Sequence, residues 1–314
     1  MSIIKKAEVS GHPGAVYALE RGNFSHTVFS AGADKIVAEW NLDTFAPEKF
    51  SVKTDAPVYS LCHITEKGLL FIGLSNGSLH VVDLKEKKET RHIRHHSSAV
   101  YDIKYLPAKN LLFTCDGSGN FCVWEAADLK LLLTLPLCNE KIRQMDIHPS
   151  GNEIAVACGD GAIRVFDTSY FNEKHRLSGH SMSVNSVKYI CKGKYLLTGG
   201  KDAHLNSYDA ENDYILLKSI PAHNFAIYSI AENETKQVFF TASRDKTIKM
   251  WDSHSFQLIT RIDKKQYNGH GHSVNKVYFS GYKDLLVSAG DDRNLFFWST
   301  SAEDSVDKVM KEKP

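Results

Sequence analysis

Five histidines, each four residues before a short apolar run, are followed eighteen residues later by a serine or threonine: His12 and Ser30, His96 and Thr114, His180 and Thr198, His223 and Thr241, His270 and Ser288. Four residues beyond the hydroxyl stands Asp34, Asp202, Asp245 or Asp292, with Ser118 in the one remaining case. Ten beyond it stands Trp40, Trp124, Trp251 or Trp298, with Tyr208 as the exception. Histidine, hydroxyl and carboxylate are the parts of a hydrolase triad. An active site is normally unique, however, and this set recurs. Repetition points instead to a structural network, because a buried imidazole needs a partner at each ring nitrogen and an indole N–H needs an acceptor. The reading assigns no catalytic residue, no metal and no cofactor.

The elements that position these residues repeat as well. Runs of the form apolar, any, any, apolar begin at Val16, Val58, Val100, Ile142, Val184, Ile227 and Val274, at intervals of 42, 42, 42, 42, 43 and 47 residues. Each is followed 24 residues later by Trp40, Val82, Trp124, Phe166, Tyr208, Trp251 or Trp298. The 24-residue stretch never changes length, so it is the structural unit and the connection is permissive. Within it, Thr27 to Ala31 and Ile36 to Asn41 flank Gly32-Ala33-Asp34, and Val238 to Ala242 and Thr247 to Trp251 flank Ser243-Arg244-Asp245. These are β-hairpins about polar turns. A strand at the start and one in the connection, such as Leu258 to Ile262, bring each unit to four antiparallel strands.

One such sheet cannot bury both faces, but seven arranged face to face around an axis can. The expected fold is all-β, a seven-bladed β-propeller in a single domain over residues 1–300. Its units run about 12–53, 54–95, 96–137, 138–179, 180–222, 223–269 and 270–300. Residues 3–9 are expected to close the ring by joining the last blade, and 301–314 to form a polar tail with a short helix through Val306, Val309 and Met310. The units with Thr54, Ile72 and Val82, and with Cys138 and Val156, lack histidine and hydroxyl and are expected to rest on apolar packing alone.

Gly11-His12, Gly179-His180 and Gly269-His270, with Trp251-Asp252 and the relaxed endings Phe166-Asp167, Tyr208-Asp209, Trp40-Asn41 and Trp124-Glu125, resemble the WD40 repeat family over residues 3 to about 300. The resemblance implies a rigid, non-catalytic platform for partner proteins. In that family the residue after each first-series position commonly lines the rim of the central channel, which here means Tyr17, Tyr59, Tyr101, Arg143, Asn185, Tyr228 and Asn275. Tyrosine joins a broad apolar ring to a polar tip and suits peptide recognition. With Lys201 and Arg244 beside the hairpin turns, the expected binding set is Tyr17, Tyr59, Tyr101, Arg143, Tyr228, Lys201 and Arg244, and the expected partner an extended or acidic peptide. The bland alternative is that these tyrosines merely pack against neighbouring blades. The functional alternative is an enzyme of hydrolase or lyase type at the channel mouth, for which Asp102 and Asp291 are the only acids the repeat places near the axis. The connection from Asp252 to His270, about five residues longer than the others, opens on the same face.

Composition supports a soluble folded chain: 42% hydrophobic, 24% charged, 11% aromatic. A formal charge of +1 gives no global field for nucleic acid or an anionic membrane. The six cysteines contain no C-x-x-C pair and read as reduced, packed thiols, Cys115 and Cys122 included. A cytoplasmic protein, monomeric by itself within larger complexes, is expected. The basic run from Lys85 to His96 reads as a charged outer edge that discourages sheet pairing. Strand alternation separates His92, His95 and His96, so no metal site is expected there.

Overall fold

The structure, a computed structural model, describes residues 3–300; the expected tail over 301–314 lies outside the described residues. The first sheet contains Val16–Arg21, Thr27–Gly32, Ile36–Asn41 and Pro47–Lys53, in that order from the axis outward. Every residue of Thr27–Gly32 is buried, whereas Pro47–Lys53 is largely exposed. That gradient explains why inner strands read as near-continuous apolar runs and outer ones as charged: the middle of each sheet is covered on both faces. The pattern recurs in seven four-stranded antiparallel sheets. The basic outer strand Lys88–Arg94 is exposed along almost its whole length.

Seven apolar clusters hold the sheets together, and each straddles two blades. Phe29 and Val37 of the first blade meet Leu61 and Leu70 of the second. Phe113, Phe121 and Val123 of the third meet Ile154, Val156 and Phe166 of the fourth. Val16, Leu19 and Trp40 of the first meet Val287, Leu295 and Phe297 of the seventh, so the circle has no gap. The seventh sheet takes Val274–Ser280, Leu285–Gly290 and Asn294–Ser299 from the end of the chain and Ile4–Ser10 from its start. Ala7 pairs with Phe297 and Val9 with Leu295, which places the expected closing strand one residue later than 3–9. The long connection before the seventh blade folds into a helical turn, Lys264–Tyr267; Asp263 accepts the Gln266 N–H at 2.9 Å and Asn268 leaves the turn with φ 49°.

Histidine, hydroxyl and carboxylate assemble in five blades. His223 Nδ1 lies 2.9 Å from Asp245 Oδ2, its Nε2 lies 2.8 Å from Thr241 Oγ1, and Trp251 Nε1 donates to the same hydroxyl at 2.9 Å. The sets His12, Ser30, Asp34, Trp40 and His270, Ser288, Asp292, Trp298 repeat this arrangement. An indole can only donate, so the hydroxyl proton turns to Nε2 and the ring proton on Nδ1 turns to the carboxylate. The second carboxylate oxygen caps the hairpin turn, as Asp245 Oδ1 does by accepting the Thr247 N–H at 3.0 Å.

Two blades vary the theme. In the third, His96 Nδ1 finds Asp116 at 2.8 Å, while Thr114 bonds both His96 and Trp124 at 2.8 Å. The carboxylate has moved two residues back from the position where Ser118 stands, and Ser118 donates its own N–H to Asp116 at 2.9 Å. In the fifth, His180 keeps Asp202 and Thr198 at 3.1 and 2.8 Å, but the Tyr208 hydroxyl donates to the Ser178 carbonyl instead. The expectation that the second and fourth blades rest on apolar packing alone needs correction. Thr54 Oγ1 reaches the Ala56 carbonyl at 2.8 Å, Asn76 caps its turn through the Ser78 N–H at 3.1 Å, and Asp160 pairs with Arg164 at 3.2 Å. A polar turn must still be satisfied after the histidine is gone.

Burial by itself raises the carboxyls of Asp116, Asp202, Asp245 and Asp292, but their histidine and backbone N–H partners outweigh it and hold all four below the usual carboxylate range. Burial pushes His180 and His223 down toward the neutral ring despite the facing carboxylates. Three outcomes follow. Asp245→Ala strips His223 and the turn of their acceptor and should cost roughly 1–3 kcal/mol in urea unfolding; an unchanged midpoint would show that the network holds nothing. A histidine with a depressed folded pKa binds fewer protons folded than unfolded, so stability should begin to fall below about pH 6.5; the four aspartates should add a steeper loss as pH drops from about 4 through their folded values. Urea midpoints at pH 7.5, 5.5 and 4 measure this, and a flat profile between the first two contradicts the histidine assignment. Deleting residues 1–10 removes Ile3, Ala7 and Val9 from the core and should cost roughly 3 kcal/mol or more, taking about 1.5–3 kcal/mol per buried Val or Ile; unaltered melting would deny that this strand closes the ring.

Candidate functional site

The pairing of first and second strands skips one residue in six blades. Val16 pairs with Gly32 and Ala18 with Ala31, which leaves Tyr17 unpaired in a β-bulge. Tyr59, Tyr101, Asn185, Tyr228 and Asn275 occupy the same position in their blades. In the fourth blade the strand begins only at Gln144, just after Arg143. A bulge re-aims its side chain, and the six re-aimed side chains, together with Arg143, line one cavity of about 310 Å³ at an end of the central channel. Tyr17 stacks on Tyr59 with centroids 4.9 Å apart and planes 10° apart, and Tyr59 meets Tyr101 edge-on at 5.0 Å. The Arg143 guanidinium lies 5.0 Å from the Tyr101 centroid, and the Lys141 ammonium 6.0 Å from it on the same ring. Asn275 Nδ2 donates to Asp291 at 2.8 Å across the rim. Burial raises the phenols of Tyr17 and Tyr59, the former aided by Asp291, so both stay protonated donors.

Five of the seven expected binding residues therefore come together: Tyr17, Tyr59, Tyr101, Arg143 and Tyr228. Lys201 and Arg244 are not among the residues lining this cavity; Arg244 lies 5.7 Å from the ring of the exposed Phe225. Two lining cations escaped the sequence reading. Lys141 precedes the first-series position and Lys276 follows the bulge, so neither falls on the position that the repeat marks.

A second cavity of about 480 Å³ shares Tyr59, Tyr101, Gln144 and Lys276 with the first, so the two are successive parts of one axial passage. Its wall carries Glu20, Asp102, Asp146 and Glu232 with Lys104, Lys188 and Lys276. The expectation of Asp102 and Asp291 as the only acids near the axis is corrected here: strand alternation also turns the fourth residue after each first-series position inward, which includes Glu20 and Asp146. These groups answer a backbone problem. Innermost strands of adjacent blades do not pair, so N–H groups facing the next blade need side-chain acceptors. Asp102 Oδ2 accepts from Met145 N at 2.8 Å, Gln144 Oε1 from Val187 N at 3.1 Å, Asp146 Oδ2 from Tyr189 N at 2.8 Å and Glu232 Oε1 from Cys191 N at 2.8 Å. Burial disfavours charge on Lys104, yet Asp102, Asp146 and Glu20 overcome it and raise its pKa; Lys276 is lowered by burial.

Two groups of metal-ligating side chains also meet among the described residues. His80 stacks on His92 at 4.2 Å and lies 3.2 Å from Glu89, a cross-strand approach that the spacing of His92, His95 and His96 does not reveal. Cys138, Cys158 and Asp160 form the other, in the fourth blade. Among the described residues no helix is long and apolar enough to cross a membrane.

Comparison with known proteins adds to this geometry. Residues 87–125, 129–167, 171–209, 215–252 and 263–299 match the family profile described as WD domain, G-beta repeat. Similar proteins include Elongator complex protein 2 of Schizosaccharomyces pombe, 30% identical over 168 residues, which are 50% of this chain and 22% of that protein. Nuclear distribution protein PAC1 of Arthroderma otae is 24% identical over 282 residues, 77% of this chain and 59% of that protein. Kinesin-like protein KIF21B of Mus musculus is 27% identical over 259 residues, 73% of this chain and 15% of that protein. The chain thus spans less than two thirds of the length of each of these relatives. The five matched segments cover more than half of the sequence, and the first blade and the three inner strands of the second carry the same bulge without matching the profile. The chain belongs to the WD40 repeat family.

Proposed function

We propose that this protein is a non-catalytic interaction platform, and that the tyrosine-lined channel mouth takes an extended, acidic segment of a partner protein. The observation that carries the reading is the continuous run of Tyr17, Tyr59 and Tyr101 capped by Arg143 and Lys141. Three cations, Lys141, Arg143 and Lys276, face the single acid Asp291 in that cavity. Aromatic faces already polarised by cations suit a ligand that brings carboxylates and apolar stems together. The cavity volume matches one or two side chains, so the rest of the segment lies across the rim.

The alternative of an enzyme at the channel mouth loses support from the engagement of both its candidate acids, since Asp291 already accepts from Asn275 at 2.8 Å. Asp102 is buried, accepts the Met145 and Ile103 N–H groups and sits 3.4 Å from Lys104. A carboxylate so engaged is a poor general base. One of the relatives is named as a protein of a complex, which fits a chain that works within larger assemblies. A cytoplasmic location, a monomeric state by itself and no affinity for nucleic acid belong to the same proposal.

The test uses fluorescence polarisation with acidic and charge-neutralised peptide libraries of the same length. Tyr59→Ala with Tyr101→Ala, and separately Arg143→Glu, should lower binding of acidic peptides at least tenfold while the melting temperature moves little. Lost stability with unchanged peptide binding would assign the tyrosines to packing between blades. Equal binding of both libraries would remove the acidic preference.

A further inference from the structure

The fourth blade carries sulfur where other blades carry the histidine junction. Cys138 stands four residues before Ile142, the slot of His12, His96, His180, His223 and His270 in their blades. Cys158 stands two residues before Asp160, the slot from which Asp116 reaches His96 in the third blade. The two thiols consequently face one another where five other blades join an imidazole to a carboxylate, and their sulfurs and an Asp160 oxygen all lie within 4.8 Å of one another. Cys158 is fully buried, and Cys138 is half-buried on the channel-mouth face.

We infer that Cys138 and Cys158 form an oxidation site at which a peroxide converts the dithiol to an intramolecular disulfide. Cys138 is the attacking group because it is the half-buried member of the pair and can meet a peroxide from solvent, whereas Cys158 is fully buried. Burial pushes the thiols of Cys62, Cys115, Cys122 and Cys191 up, to about 11 for the last two. The Cys138 thiolate attacks one peroxide oxygen, the O–O bond breaks, and the departing hydroxide takes a proton to become water. The sulfur of Cys158, giving up its proton, then attacks the sulfenic sulfur of Cys138, and the S–O bond breaks with loss of a second water. Two thiols and one hydrogen peroxide thus give one disulfide and two waters.

A divalent cation is the competing occupant of the same atoms. Asp160, its third ligand, already pairs with Arg164 at 3.2 Å and Arg176 at 3.6 Å, and two guanidinium groups oppose a further cation. The backbone also favours a cross-link. The connection from Cys138 already lies flush on the hairpin turn, where a side chain added at Gly159 would come within 2.5 Å of Glu140 Cβ and 2.8 Å of the Lys141 carbonyl. Drawing the sulfurs from within 4.8 Å to about 2.05 Å is therefore a local movement. Closure tethers the segment that carries Lys141 and Arg143 beside Tyr101.

The full chain, treated with equimolar hydrogen peroxide at pH 7, blocked with N-ethylmaleimide and digested, decides the matter by mass spectrometry. The expected product is a single cross-linked peptide joining positions 138 and 158, lighter by two hydrogens and released by dithiothreitol. Cys138→Ser should abolish it, and Cys158→Ala should leave Cys138 as a sulfenic acid trapped by dimedone. If the variants do not fold, the parent map alone is decisive. Six intact thiols, oxidation of Cys138 to sulfinic acid with Cys158 still free, or one equivalent of zinc protecting both thiols would each overturn the assignment.

Discussion

A four-stranded sheet whose middle strands are oily on both faces cannot exist alone in water. Everything else in this protein follows from how that surface is covered. Each of the seven apolar clusters draws on two blades, and none belongs to one blade by itself. Every blade is thus a partial core that needs a neighbour on either side, and a row of them has two bare ends until the row bends into a ring. The tryptophans tie the polar network to this requirement: Trp40 packs against the seventh blade while its N–H holds the Ser30 hydroxyl. Loosening the apolar contact also loosens the hydroxyl, the histidine and the turn beyond it.

The ring creates a second constraint at its centre. Innermost strands converge without pairing, so their backbone donors point at a neighbour that offers no carbonyl ladder. Asp102, Gln144, Asp146 and Glu232 answer those donors, and Lys104, Lys188 and Lys276 balance the charge they bring. A channel crowded with acids and amines looks like a reaction chamber. Residue by residue it is a set of struts between blades, which is why charge alone was a poor guide to chemistry here.

The parts of this structure that a sequence exposes are those fixed by length. The hairpin stretch is invariant because its strands must span one sheet, so the fold, the closing strand and four of the five aspartates can be read directly. Asp116 could not be, since two backbone paths bring a carboxylate to His96 and the sequence pattern marks only the one through Ser118. The direction of Tyr17, Tyr59 and Tyr101 depends on an extra residue in the strand pairing, which spacing records but does not explain. Lys141, the His80 and His92 pair, and the Cys138 and Cys158 pair arise from neighbours in space that belong to different strands or turns, and no periodicity announces them.

The bulge in the first strand of six blades has a further consequence. Its residue gives nothing to the strand ladder, although Tyr101 still packs against an apolar cluster and Asn275 reaches the Val16 carbonyl of the first blade. The ladder and the lining of the channel mouth are thereby written at separate addresses within one repeat. The mouth of the ring changes letter by letter around the circle, from tyrosine to asparagine, while the pairing beneath keeps one register.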